Sequence, residues 1–192
     1  MFFVTPLRGA KDDIVPVKLT STLPGCMAST DPFFIRATVA QTAAAFTQTE
    51  IDLGAFVDAL AETVLRIHSI EYQYSDDTQA GGPSAAGATL NIQSQLTTQT
   101  QTGLVRLDNK SVVSSSIQMV SNAGGGNYEV FNVEDVGPQR WEEGYLVGVE
   151  SIYLGTAADQ AADNDYHVSI LLECTSERLT KGAAMALALS QQ

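Results

Sequence analysis

Two histidines, two cysteines and a few acidic pairs are the side chains of this 192-residue chain that could do chemistry. Their spacing decides whether they do. A zinc or iron centre needs convergent His, Cys or carboxylate ligands. His68 and His167 stand in separate strand-like runs with no ligand two positions on, so each reads as an ordinary sheet residue. Cys26 sits in the turn Pro24-Gly25-Cys26 and Cys174 follows an apolar run. They pair only if the fold brings them together, and a free, buried thiol is the usual state of such residues. Asp159, Asp163 and Asp165 with Asn164 offer oxygen ligands for Ca²⁺, but they lack the ligand spacing and glycine of an EF-hand loop. A solvated acidic loop is the better reading.

Covalent and phosphate chemistry find no better footing. Ser114-Ser115-Ser116 lies in a strand-like run, outside any Gly-x-Ser-x-Gly elbow. Gly124-Gly125-Gly126-Asn127 has neither the Lys-Ser/Thr of a phosphate loop nor a helix after it. Glu134-Asp135 and Glu142-Glu143 are sequence neighbours that point apart on a strand; only a fold that set two such acids face to face would make glycoside chemistry of them. Trp141, between Arg140 and Tyr145, is the one aromatic group suited to gripping a sugar or a protein, with a core anchor as the default reading. The sequence therefore assigns no catalytic residue, no cofactor and no metal, and the chain is not expected to be an enzyme.

Composition narrows the partners. With 22 acidic against 10 basic residues the net charge is −12, and the basic residues are scattered. Such a surface repels nucleic acid and anionic membranes, so the expected partners are proteins. A hydrated acidic surface also suits a high-salt habitat. Met1-Phe2-Phe3-Val4 is apolar, but Pro6, Arg8 and Lys11 interrupt it before any useful hydrophobic run, so it is not expected to be a secretory signal. No window holds the ~20 apolar residues of a membrane span. The length fits one domain.

The elements that would position these residues are mostly strands. Residues 1–34 carry Pro6, Pro16, Pro24 and Pro32, a spacing that blocks helices and central strands. They read as an extended arm, either clamping a neighbour or folded along its own domain. Residues 35–175 form the domain. Phe34–Val39 and Ala45–Leu53 open it, with Phe46 out of phase, and Phe56, Val57, Leu60 and Ala61 mark a helical turn or two. From Thr63 to Ser75 the apolar face swaps near His68, which predicts a bulge. Residues 79–89 are a small-residue loop. Leu90–Leu96 starts a strand that Thr97–Thr102 extends with polar side chains on both faces, which reads as an exposed edge or as a strand that meets another subunit. Leu104–Leu107 and Val112-Val113 flank Asp108-Asn109-Lys110-Ser111 as a hairpin; the sequon in that turn reads as chance. Further strands are expected over Ser116–Ser121, Tyr128–Val133, Gly144–Leu154 and Tyr166–Cys174. Residues 176–192 form an Ala- and Leu-rich tail, open between a helix and a continued strand. Eight to ten strands at such spacing, without βαβ units, predict an all-β sandwich or jelly roll.

With its Pro-punctuated arm, acidic charge and lack of reactive clusters, the chain resembles the single jelly-roll major capsid proteins of tailless icosahedral double-stranded DNA viruses, particularly those of halophilic archaea. The resemblance is one of pattern over residues 35–175, carried by Ile35 through Leu53, Val64 through Tyr72, and Val168 through Glu173. It implies a virion protein whose upright barrel self-associates into capsomers, with or without a second capsid protein, over an internal viral membrane and without direct nucleic-acid binding. It also implies that residues 1–34, the 79–89 loop and the 175–192 tail are contact elements. The rival reading is an extracellular or surface β-sandwich module that binds a glycan or protein through Trp141, Tyr145 and the loops at Gly81-Gly82 and Gly124–Gly126; its weak point is the missing signal. A phage tail or baseplate component shares the assembly logic of the first.

Overall fold

A computed structural model describes residues 29–41, 43–58, 60–76, 85–124, 127–133, 140–162 and 165–192. Cys26 and nearly all of the expected arm, with most of the 79–89 loop, Glu134-Asp135, Asp163 and Asn164, lie outside them.

Nine strands and one helix follow one another: β1 (Phe33–Gln41), β2 (Thr47–Asp52), β3 (Thr63–Asp76), β4 (Thr89–Thr97), β5 (Val112–Gly124), β6 (Asn127–Val133), β7 (Arg140–Val147), β8 (Ser151–Ala158), β9 (Tyr166–Arg178) and α1 (Lys181–Ser190). They form two antiparallel sheets, β1-β9-β3-β7 and β2-β8-β4-β5-β6. The chain crosses between sheets at nearly every step, as in an eight-stranded jelly roll with β6 added at one edge. The all-β sandwich expected from the strand count is the fold observed.

Alternation explains how each strand sits. In β1, Ile35, Ala37 and Val39 turn inward while Phe34, Arg36, Thr38 and Ala40 are exposed. In β9, Tyr166, Val168, Ile170, Leu172 and Cys174 are buried every second residue. They meet Ile51, Leu90, Ile92, Leu96, Ile152 and Leu154 of the facing sheet in one core cluster. The pairing of β3 with both β7 and β9 shifts between Ile67 and Ser69, so His68 is the extra residue. Leu65 and Ile67 before the bulge and Ile70 after it all reach the core, which is the face swap visible in the sequence.

One local expectation is narrowed and three are corrected. The turn around Phe56 is a single turn closed by Val57 N–H to the Leu53 carbonyl, and Leu60 is exposed. Asp58 takes over there, its carboxylate accepting from the N–H groups of Leu60 and Ala61 at 2.8 and 3.0 Å. β4 stops at Thr97; Thr97 and Thr98 are buried, not an exposed edge. Leu104–Leu107 is not a strand, because the Gln95 side chain captures Val105, accepting from its N–H at 2.9 Å and donating to its carbonyl at 2.5 Å. The run Gly144–Leu154 is broken at 148–150, where the chain leaves one sheet for the other.

The tail is a helix beyond β9. Thr180 caps it, with Oγ1 accepting from Ala183 N–H at 3.4 Å. Ala, Leu and Met then supply strong helix propensity. Among the described residues no helix is long and apolar enough to cross a membrane.

Candidate functional site

The reactive side chains do not converge. His68 Nε2 lies 3.0 Å from Thr175 Oγ1. His167 is eight positions back from Thr175 along β9, about 26 Å at the rise of a strand. Cys174 is free and buried in the core, and burial pushes its thiol up to about 12, with the Glu173 charge adding to the shift. That suppresses the thiolate needed for nucleophilic chemistry. Asp159 accepts from Asn91 N–H at 2.9 Å and from Asn91 Nδ2 at 2.5 Å, so it ties the loop to β4. Glu142 and Glu143 are exposed. Among the described residues no group of three or more His, Cys, Asp or Glu side chains could hold a metal ion.

Ser114, Ser115 and Ser116 are buried in β5. Ser114 Oγ is 2.6 Å from the Tyr72 hydroxyl across the sandwich, and Ser94 Oγ donates to Thr156 Oγ1 at 3.2 Å. Burial drives the Tyr72 phenol far above its ordinary value, against the opposing Ser114 hydrogen bond. These serines lie against the tyrosines of the facing sheet, Ser114 with Tyr72 and Ser116 with Tyr74.

Trp141 and Tyr145 do come together, with ring centroids 5.7 Å apart and planes tilted by 47°. Both pack against the core cluster, and burial raises the Tyr145 phenol while Gln191 opposes it. Arg66 lies nearby, bidentate on Glu177 at 3.0 and 2.6 Å and also donating to the Glu143 carbonyl. Gly144, at φ +75°, permits this approach. An open cavity of ≈ 710 Å³ lies between this corner and α1, lined by Arg66, Lys110, Tyr145, Leu187 and Gln191 among others. A second, of ≈ 440 Å³, runs over the outer face of β1, β9 and β3, lined by Arg36, Thr38, Glu71, Gln73 and Ser169 among others. Strand phase could have placed Arg36 and Glu71 on that face; the sequence reading did not join them.

The surfaces that remain unexplained are apolar. On β5 and β6, Met119 opposes Phe131 and Val120 opposes Val130. Val120 is buried, yet its partner Val130 on the same face is 56 % exposed, because β6 is a fifth strand facing a sheet of four; Phe131, 51 % exposed, lies beside Met119 on the outer face. Among the described residues no strand pairs with its outer edge. Leu107, Met185 and Leu189 are exposed as well. Isolated edges of this kind are normally guarded by charge, proline or a bulge, because their free N–H and C=O groups invite another strand. Over Asn127–Val133 the only charge is Glu129 and there is no proline.

No protein-family model matches the chain, and no curated protein matches its sequence.

Proposed function

We propose that the protein is a self-assembling structural subunit, a capsid protein whose jelly roll packs into capsomers of an icosahedral virion shell. The observation that carries the reading is the β6 edge, with which no strand pairs among the described residues and which exposes Val130 and Phe131 on an otherwise well-cored sandwich. Natural sandwiches seldom leave such an edge open unless something covers it. The jelly-roll strand order is consistent with a shell subunit, since that order recurs in viral capsid domains, although lectin domains share it. The net charge of −12 supports contact with protein neighbours rather than with a packaged genome. A second capsid protein and an underlying membrane are compatible additions to this reading.

The outer-face cavity around Arg36 and Glu71 favours a binding module as the second reading. Light scattering in high and low salt, with negative-stain imaging, separates the two. Rings, shells or salt-dependent multimers are expected. A monomer at every salt concentration that retains a glycan or peptide would replace the shell reading with the module.

A further inference from the structure

We propose that the outer face of β1, β9 and β3 binds a carboxylated sugar, a uronate or sialic acid unit of a glycan, with its carboxylate on Arg36. The face belongs to the four-stranded sheet and leaves β6 untouched, so the site does not depend on the shell reading. Register sets the face out as a grid. Leu171 of β9 pairs with Arg36 on β1 and with Glu71 on β3, so a guanidinium and a carboxylate flank an apolar side chain from strands about 10 Å apart. One step along, about 7 Å away, Ser169 pairs with Thr38 and Gln73 in the same order. Arg36, Thr38, Glu71 and Gln73 are all exposed, and the cavity of ≈ 440 Å³ over them has the size of a small-ligand site.

The charged groups of this grid are unspent. Arg36 forms no ion pair among the described residues, and its guanidinium carbon lies 6.0 Å from the centroid of the Phe34 ring, which draws it along the face of the strand. Glu71 meets the exposed Arg140 at 3.9 Å, too far for a hydrogen bond, and keeps its oxygens as acceptors. Thr38 Oγ1 and Ser169 Oγ lie 2.8 Å apart; one donates to the other, and the proton of the second remains to be given. Each group selects a part of the ligand. The guanidinium fork matches a carboxylate bidentately, which no neutral sugar offers. An ionised Glu71 only accepts, so it takes hydroxyl donors and repels a second anion. Leu171 between them suits the C–H face of a pyranose ring. One acid, several hydroxyls and an apolar face on a single ring is the chemistry of a uronate or sialic acid. An acidic peptide brings the carboxylate without the ring of hydroxyls, and a polyanion is repelled by a chain of net charge −12.

The test titrates the full-length chain with oligosaccharides that end in a single glucuronate or sialic acid, each beside its methyl ester, which keeps every hydroxyl and loses the charge. Saturation transfer from protein to ligand protons reads binding on monomer and multimer alike. At least one acid should bind below about 10 mM, its ester roughly tenfold more weakly, and added salt should weaken the acid alone. Arg36→Gln should cost roughly tenfold as well. Thr38→Glu, which hands the guanidinium a carboxylate of its own, should do the same and stands in if Arg36→Gln misfolds. Trp141→Phe should bind as the parent does. Equal binding of acid and ester, no binding of any acid, or a loss that follows Trp141 instead of Arg36 would overturn the site. Tighter binding of triglutamate than of every sugar would replace the sugar with an acidic peptide. Light scattering on the same samples separates this outcome from the assembly reading: multimers that bind no sugar leave the shell standing and sink the site.

Discussion

The side-chain amide of Gln191 completes the backbone hydrogen bonding beside Gly148: Gly148 N–H donates to Gln191 Oε1 at 2.8 Å, and Gln191 Nε2 donates to the Leu146 carbonyl at 2.8 Å. Its own carbonyl accepts from Thr98 Oγ1 at 3.0 Å and Gln99 Nε2 at 3.2 Å. One residue thus fastens α1 to the ends of β4 and β7. Gln191→Ala removes the side-chain half of this clasp and leaves a buried N–H and a carbonyl without partners, a loss of about 1–3 kcal/mol. Urea unfolding should show it as a lower midpoint with an unchanged slope.

Gly144→Ala should destabilise for two reasons that add. The residue sits at φ +75°, where a side chain costs about 1–3 kcal/mol. Its new Cβ would stand 2.5 Å from Arg66 Cγ and 2.9 Å from Arg66 Cδ, so the guanidinium must shift against Glu177. Gly103→Ala, with nothing within 4 Å of the new Cβ, is the control and should unfold with the parent. Equal midpoints for the two variants would contradict this account.

The Tyr72–Ser114 bond should appear as coupling in a double-mutant cycle. Tyr72→Phe removes the phenol from the buried Ser114 hydroxyl and Ser114→Ala leaves the phenol with only its Leu96 backbone contact, each at about 1–3 kcal/mol. The double variant should lose less than the sum of the single ones, because neither group is then left alone. Additive losses would mean the 2.6 Å contact contributes no stability.

Alkaline pH should unfold the protein through Cys174. Its thiol is raised from 9.0 to about 12 in the folded state, so the neutral form is the one the fold favours. The stabilisation is whole below pH 9 and is lost progressively as pH rises through 12. Cys174→Ala should flatten that part of the stability curve measured by thermal unfolding between pH 8 and 11, although Tyr72, also raised by burial, keeps some dependence at the top.

Strand phase made much of the fold readable. The alternation of Tyr166 through Leu172 and the face swap at His68 both became core positions where the pattern placed them. What escaped was decided by single side chains acting across long sequence gaps. Gln95 holds Val105 out of a hairpin, and Gln191 draws Thr98 inward, although a Thr/Gln run looks like an exposed strand by composition alone. The tail left both helix and strand open until Thr180 was seen to cap it. Trp141 packs against the core, the default expectation for it, but the exposed β6 was not legible, since it depends on one sheet having a strand more than the other.

The placement of β9 between β1 and β3 has a consequence for synthesis. Sheet β1-β9-β3-β7 lacks its second strand until residues 166–178 have been made, near the end of the chain. β1 and β3 therefore wait for a partner, and such non-local pairing slows folding. A nascent chain cannot complete this sheet before residues 166–178 emerge from the ribosome, and a chain cut short before them leaves β1 and β3 without the strand they share.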